Sequence, residues 1–268
     1  MVTKEWEKEY KDIPGVASKA RPFRIISQPN NDTLVIVVHG FTSSPYDMHY
    51  LSEYLSAQGF DIEAVLLAGH GSSFESLKQS NHYQWYQSVE DVYLKNKDNY
   101  KNIFVIGYSF GNNLNIHLAR QHKNIKGIIS LGIPILIHHE KEVRFCLPFA
   151  RTFCRRYRKG WLDKEDTHNI EEQGHHIYIP IPNIVHFFDF VDHITKKEID
   201  QIEQPILIMH SRDDLVSNPR SSEILWRQVK SKDKLLYILD KHNHNLLHST
   251  RKDFVFSRVT NFIHKYTK

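Results

Sequence analysis

The chain has 268 residues, 40% of them hydrophobic and 12% aromatic, enough for a large core, and its 25% of charged residues is the share of an ordinary globular protein, not a disordered one. A net charge of +4 on this length makes no case for nucleic acid, which needs a stronger basic bias or a reader motif. No apolar run approaches the roughly 20 residues that cross a bilayer, the start MVTKEWEKEYKDIPG is too polar for a signal peptide or anchor, and Cys146 and Cys154 make no disulfide framework, so a cytoplasmic protein is expected.

Short apolar runs alternate with helix-like stretches. In chain order the pattern predicts a strand over Leu34–Val38, a helix over Tyr46–Gln58, a strand over Asp61–Val65 and a helix over Tyr83–Lys97. Then come a strand over Ile103–Gly107, a helix over Asn112–His122 and a strand over Lys126–Leu131. After a gap follow strand Pro205–His210, helix Arg220–Val229, strand Lys234–Leu239 and helix Lys252–His264. Several strand runs are apolar throughout, as parallel strands covered on both faces are. Repeated βα units of this kind predict an α/β protein with a mostly parallel, doubly wound sheet. Residues 135–202 show no buried-strand pattern and are too long for a loop. They are expected to form an inserted lid over the carboxyl end of the sheet, on a body made of 1–134 and 203–268.

Gly107-Tyr108-Ser109-Phe110-Gly111 is the strongest chemical signal. The run IFVIG precedes it and the helical NNLNIHLARQH follows, the strand–turn–helix setting that exposes a nucleophilic serine on a tight turn. A serine hydroxyl needs a base, and the base an acid, further along the chain. Either Asp213 or Asp214, after the strand PILIM, can be the acid. Either His242 or His244, after KLLYIL, can be the base. The His-x-His pair could in principle ligate metal, but no thiolate or carboxylate cluster supports that, and no metal or cofactor is expected. The backbone N–H of Phe110 and that of Phe41, in the His39-Gly40-Phe41-Thr42 loop, are the expected oxyanion donors, with His39 bracing that loop.

At these residues the chain resembles the small bacterial carboxylesterase and monoacylglycerol lipase branch of the α/β-hydrolases. HGFTSSPYDMHYLSEYLSAQGFDIEAVLLAGHGSS is similar to its oxyanion loop, first helix and Gly-His-Gly turn. GYSFG, HSRDDLVSNPRSS and KHNHNLLH look like its serine, acid and base segments. The resemblance covers roughly residues 30–132 and 203–266 and implies an α/β-hydrolase fold with the lid after the sixth strand. It favours Asp214 over Asp213 and His244 as the base, with Ser109 as nucleophile. It further implies hydrolysis of carboxylic esters bearing a hydrophobic acyl group. A thioesterase or acyltransferase using the same residues is the alternative, and a non-catalytic ligand-binding relative a more distant one. Two departures carry expectations: Phe110 narrows the acyl pocket, and Asn112, where glycine is usual, loosens helix–strand packing.

Within the lid, Phe145, Phe149, Phe153, Tyr157 and Trp161 recur every four residues, along one helical face. Arginines occupy much of the rest. A lid helix with this aromatic side on the core is expected. The sharper alternative is a basic amphipathic surface that meets anionic lipid or an acidic substrate. Pro148 is expected to disturb or start the helix.

Overall fold

The computed structural model describes residues 8–159, 167–241 and 243–267. The strands are Lys8–Tyr10 (β1), Phe23–Ile25 (β2), Thr33–Val38 (β3), Asp61–Val65 (β4), Asn102–Tyr108 (β5) and Gly127–Leu131 (β6), followed by Arg156–Arg158 (β7), Tyr178–Pro180 (β8), Ile206–Ser211 (β9) and Lys234–Leu239 (β10). Eight of them form one sheet in the order β1-β2-β4-β3-β5-β6-β9-β10, and β7 and β8 form a separate ribbon. Every pairing from β4 to β10 is parallel, while β2 joins β4, and β1 joins β2, antiparallel.

The helices are His49–Ala57 (α1), Phe74–Gln79 (α2), His82–Asn96 (α3), Gly111–Gln121 (α4), Glu140–Phe153 (α5), Thr167–Glu172 (α6), Ile181–Phe190 (α7), Arg220–Gln228 (α8) and Lys252–Thr267 (α9). The sheet sorts its side chains by period two. Leu34, Ile36 and Val38 of β3 join α3, α4 and α8 in one core. Val35 and Val37 join α1 and α9 in the other. Both faces are therefore covered, which is why the central strands read as unbroken apolar runs. This is the α/β-hydrolase arrangement, a mostly parallel sheet between helical layers. Among the described residues no helix is long and apolar enough to cross a membrane.

Between β6 and β9 the chain leaves the sheet for α5, the ribbon, α6 and α7. Here the expected orientation of the aromatics is reversed. Phe145, Phe149 and Phe153 of α5 are 76%, 64% and 81% exposed, and Val143 and Leu147 on the opposite side pack toward the core. Period four finds a stripe but carries no sign, and here the aliphatic pair Val143 and Leu147 takes the inward side. Tyr157 lies on β7, beyond the helix, and Trp161 lies outside the described residues. The helix begins at Glu140 and runs through Pro148.

Candidate active site

Ser109 sits between β5 and α4 with φ of 51°, a left-handed conformation that costs a non-glycine residue roughly 1–3 kcal/mol. Its surroundings require it. A Cβ on Gly111 would lie 2.3 Å from the Val38 carbonyl oxygen, and one on Gly107 would lie 2.5 Å from the Asn112 nitrogen. Both glycines are thus set by close backbone approach. The Ser109 N–H donates to the Leu131 carbonyl at 2.9 Å, pinning the turn to β6. Asn112 corrects the expectation of loose packing. Its amide nitrogen donates to the carbonyls of Ser109 and Leu131, both at 2.8 Å, and its Oδ1 accepts from Leu131 N–H at 3.1 Å. The side chain stitches the first turn of α4 to β6 where a glycine would make no bond.

Three segments from the carboxyl ends of β5, β9 and β10 converge at this turn. Ser109 Oγ lies 3.1 Å from His244 Nε2, and His244 Nδ1 lies 2.7 Å from Asp214 Oδ2. With the proton on Nδ1, the imidazole donates to Asp214 and accepts from Ser109. Asp214 is 2% exposed, and its Oδ1 accepts from Val216 and Ser217 N–H at 2.8 and 2.9 Å. Burial alone would raise its pKa. Hydrogen bonds and charge from His210 and His244 outweigh that and hold the carboxylate well below the usual range. Asp213 has a different task, accepting from Lys241 N–H at 2.7 Å and so tying the β9 loop to the β10 loop. His242 lies outside the described residues.

His210 is a site residue that the sequence reading missed. It is fully buried, with Nε2 3.1 Å from Asp214 Oδ2 and Nδ1 2.6 Å from Ser222 Oγ. It holds the carboxylate oxygen that His244 also uses. The only signal was its place four residues before Asp214, masked by its position at the end of an apolar strand. Tyr108 adds a second brace, its hydroxyl donating to the His244 carbonyl at 3.0 Å.

The loop after β3 passes directly over the serine. A Cβ on Gly40 would come within 3.0 Å of Ser109 Cβ, so only glycine lets the loop lie this close without displacing it. Among the described residues, no group accepts from the backbone N–H of Phe41 or of Phe110. His39 spans the loop base, its Nε2 accepting from Leu67 N–H at 3.1 Å and its Nδ1 donating to Gly40 carbonyl at 2.9 Å. Burial lowers its pKa to about 4, so it is a neutral brace at pH 7. Thr42, left-handed at φ 61°, offers its carbonyl to His176 N–H at 3.0 Å and to Lys159 Nζ at 3.4 Å. Both partners belong to the segment between β6 and β9, which therefore steadies this loop. Burial lowers the Lys159 pKa to about 8.

The site thus sets a serine on a strained strand–helix turn in line with a half-buried histidine and a buried aspartate, beside a glycine loop. The family described as "Serine aminopeptidase, S33" matches residues 29–251. The chain belongs to this family. It is 26% identical to a carboxylesterase of Bacillus subtilis strain 168 over 237 residues, 87% of this chain and 93% of that protein. It is also 26% identical to a thermostable monoacylglycerol lipase of Bacillus sp. strain H-257 over 251 residues, 94% of this chain and 97% of that protein. Among solved structures, one of the metagenome-derived lipolytic enzymes LipS and LipT superimposes with a TM-score of 0.82 at 22% identity, covering 93% of this chain and 99% of the other.

Beside the serine this S33 family member builds an aromatic wall. Phe41 stacks on Phe187 of α7 at 5.4 Å between ring centroids and tilts against Trp85 of α3 at 5.4 Å. Phe110 is fully buried among Phe41, Trp85, Phe187 and Phe190, so its ring is core beneath the site and not a rim that narrows a pocket. The wall thus adds apolar contact to the hydrogen bonds that join the loop after β3 to the segment between β6 and β9.

Proposed function

We propose that this protein is a serine carboxylesterase that cleaves esters with hydrophobic acyl groups, monoacylglycerol-like esters among them, through an acyl-enzyme on Ser109. The observation that carries the reading is the hydrogen-bonded line from Ser109 through His244 to Asp214, at 3.1 and 2.7 Å. His244 Nε2 takes the serine proton as Oγ bonds to the ester carbonyl carbon, and ionised Asp214 stabilises the imidazolium. The N–H groups of Phe41 and Phe110 hold the oxyanion, each worth roughly 100- to 1000-fold in rate. Collapse breaks the bond to the alcohol, which leaves with the proton from His244. Water, deprotonated by the same imidazole, then attacks the acyl-enzyme, frees the acid and restores Ser109. No step needs a metal or an organic cofactor.

The names of the two Bacillus relatives support ester chemistry. The apolar wall also suits an acyl chain better than the cationic amine of an aminopeptidase substrate. A fluorophosphonate probe tests the reading. Mass spectrometry should find one adduct, on the peptide that contains Ser109. An adduct elsewhere, or none, removes the serine mechanism. Hydrolysis of acyl-CoA in preference to oxygen esters would move the assignment to a thioesterase.

We take residues 135–202 to act as the lid of the body formed by 1–134 and 203–268. We further infer that this lid meets anionic lipid surfaces weakly. The support is the outward-facing Phe145, Phe149 and Phe153, with exposed Arg151, Arg155 and Arg156 alongside them. The free, exposed thiols of Cys146 and Cys154 support a reducing, cytoplasmic setting.

A further inference from the structure

Away from Ser109, the insert meets the body at a second constellation. His82 opens α3, where a capping box fixes the turn. Asn81 Oδ1 accepts from Tyr83 and Gln84 N–H at 3.1 and 3.2 Å, and Gln84 Oε1 accepts from Asn81 N–H at 3.1 Å. His186 and Asp189 stand three residues apart on one face of α7. One donor atom from each of His82, His186 and Asp189 lies within 4.8 Å of the other two.

A further observation marks the cluster as more than a contact. His82 is 7% exposed, and among the described residues neither its Nδ1 nor the Nδ1 of His186, both buried, has a hydrogen-bond partner. Leaving such a nitrogen unpaired costs roughly 1–3 kcal/mol.

We propose that His82, His186 and Asp189 form a binding site for a divalent transition metal of the Zn²⁺ class, its fourth position open to water. Two neutral imidazoles and one carboxylate are a borderline donor set that suits tetrahedral Zn²⁺ over Mg²⁺ or Ca²⁺, which prefer oxygen. Tetrahedral bonds near 2.1 Å put ligand atoms roughly 3.4 Å apart. Metal binding therefore requires the half-buried His186 and Asp189 side chains to rotate toward His82. A metal here clamps α7 to α3. Phe187 follows His186 directly and stacks on Phe41, so the clamp also fixes the wall beside the serine. The site does not depend on ester cleavage, and its test is separate from that of Ser109.

The full chain, without a histidine tag and dialysed against EDTA, is titrated with Zn²⁺ by calorimetry and with Co²⁺ by visible absorption. The expected result is one metal per chain, a tetrahedral-type Co²⁺ spectrum and a raised thermal midpoint. Loss of an outer-shell partner alone weakens metal sites by roughly 10–100-fold, so His186→Gln and Asp189→Asn should each weaken binding at least about tenfold. His244→Gln should bind the metal as wild type does. Absence of stoichiometric binding, undiminished binding in both α7 variants, or loss of binding in His244→Gln would each overturn the proposal.

Discussion

Replacing His210 by leucine probes the least obvious support of the site. The variant keeps an apolar side chain in a fully buried position but removes the 3.1 Å contact to Asp214 and the 2.6 Å contact to Ser222. A hydrogen bond to a charged group contributes about 1.5–3 kcal/mol and a neutral one about 1 kcal/mol, so the loss should be about 2.5–4 kcal/mol. Asp214 keeps Val216, Ser217 and His244 as partners, and its pKa rises without reaching the ordinary value. The sign of the pH dependence follows from that. A depressed carboxylate contributes stability that is present above its unfolded pKa of about 3.9 and is lost as pH falls through the lower folded value. Because the unfolded chain titrates alike in both proteins, the gap between wild type and variant should be full at pH 7 and narrow only as pH falls below the folded Asp214 pKa of the variant. Urea unfolding at pH 7 and in steps down to about pH 2 measures it, and steady-state hydrolysis should show kcat about tenfold lower with KM little changed. A gap that stays constant over that whole range, or a kcat within twofold of wild type, would show that His210 does not act through Asp214.

Other substitutions separate neighbouring roles. Asp214→Asn should cut kcat on a p-nitrophenyl ester by about 10⁴, because His244 loses its tautomer, while Asp213→Asn, which loses only the Lys241 contact, should cost less than about tenfold. Gly111→Ala should cost about 1–3 kcal/mol in urea unfolding, since its methyl would run into the Val38 carbonyl oxygen. Changing Phe145, Phe149 and Phe153 together to serine should leave the thermal midpoint nearly unchanged, because all three rings are exposed. It should weaken co-sedimentation with anionic vesicles about a hundredfold, at about 1 kcal/mol per half-inserted ring.

The long βα units were legible because β3, β5 and β9 are buried on both faces and read as unbroken apolar runs. The two antiparallel strands at the sheet edge were not. KEY and FRI are three residues each, too short to show a period, and only pairing with β4 makes them strands. The ribbon in the insert escaped for the same reason. In α5 the stripe was visible but its direction was not, since which side is buried depends on what α5 packs against. Around Ser109, the glycines on either side could be reasoned from the motif alone. Asn112 could not, because its value lies in three hydrogen bonds to Ser109 and β6 that no local pattern announces. Likewise His82 is drawn to His186 and Asp189 only by the docking of α7 on α3.

The most direct test of the central claim is hydrolysis of p-nitrophenyl esters from acetate to palmitate by wild type and Ser109→Ala, with both proteins confirmed folded. Wild type should be active with an optimum at a hydrophobic acyl chain, and Ser109→Ala should lose several orders of magnitude across the whole series. Activity that survives in Ser109→Ala, or a wild type that cleaves none of the esters, would contradict it.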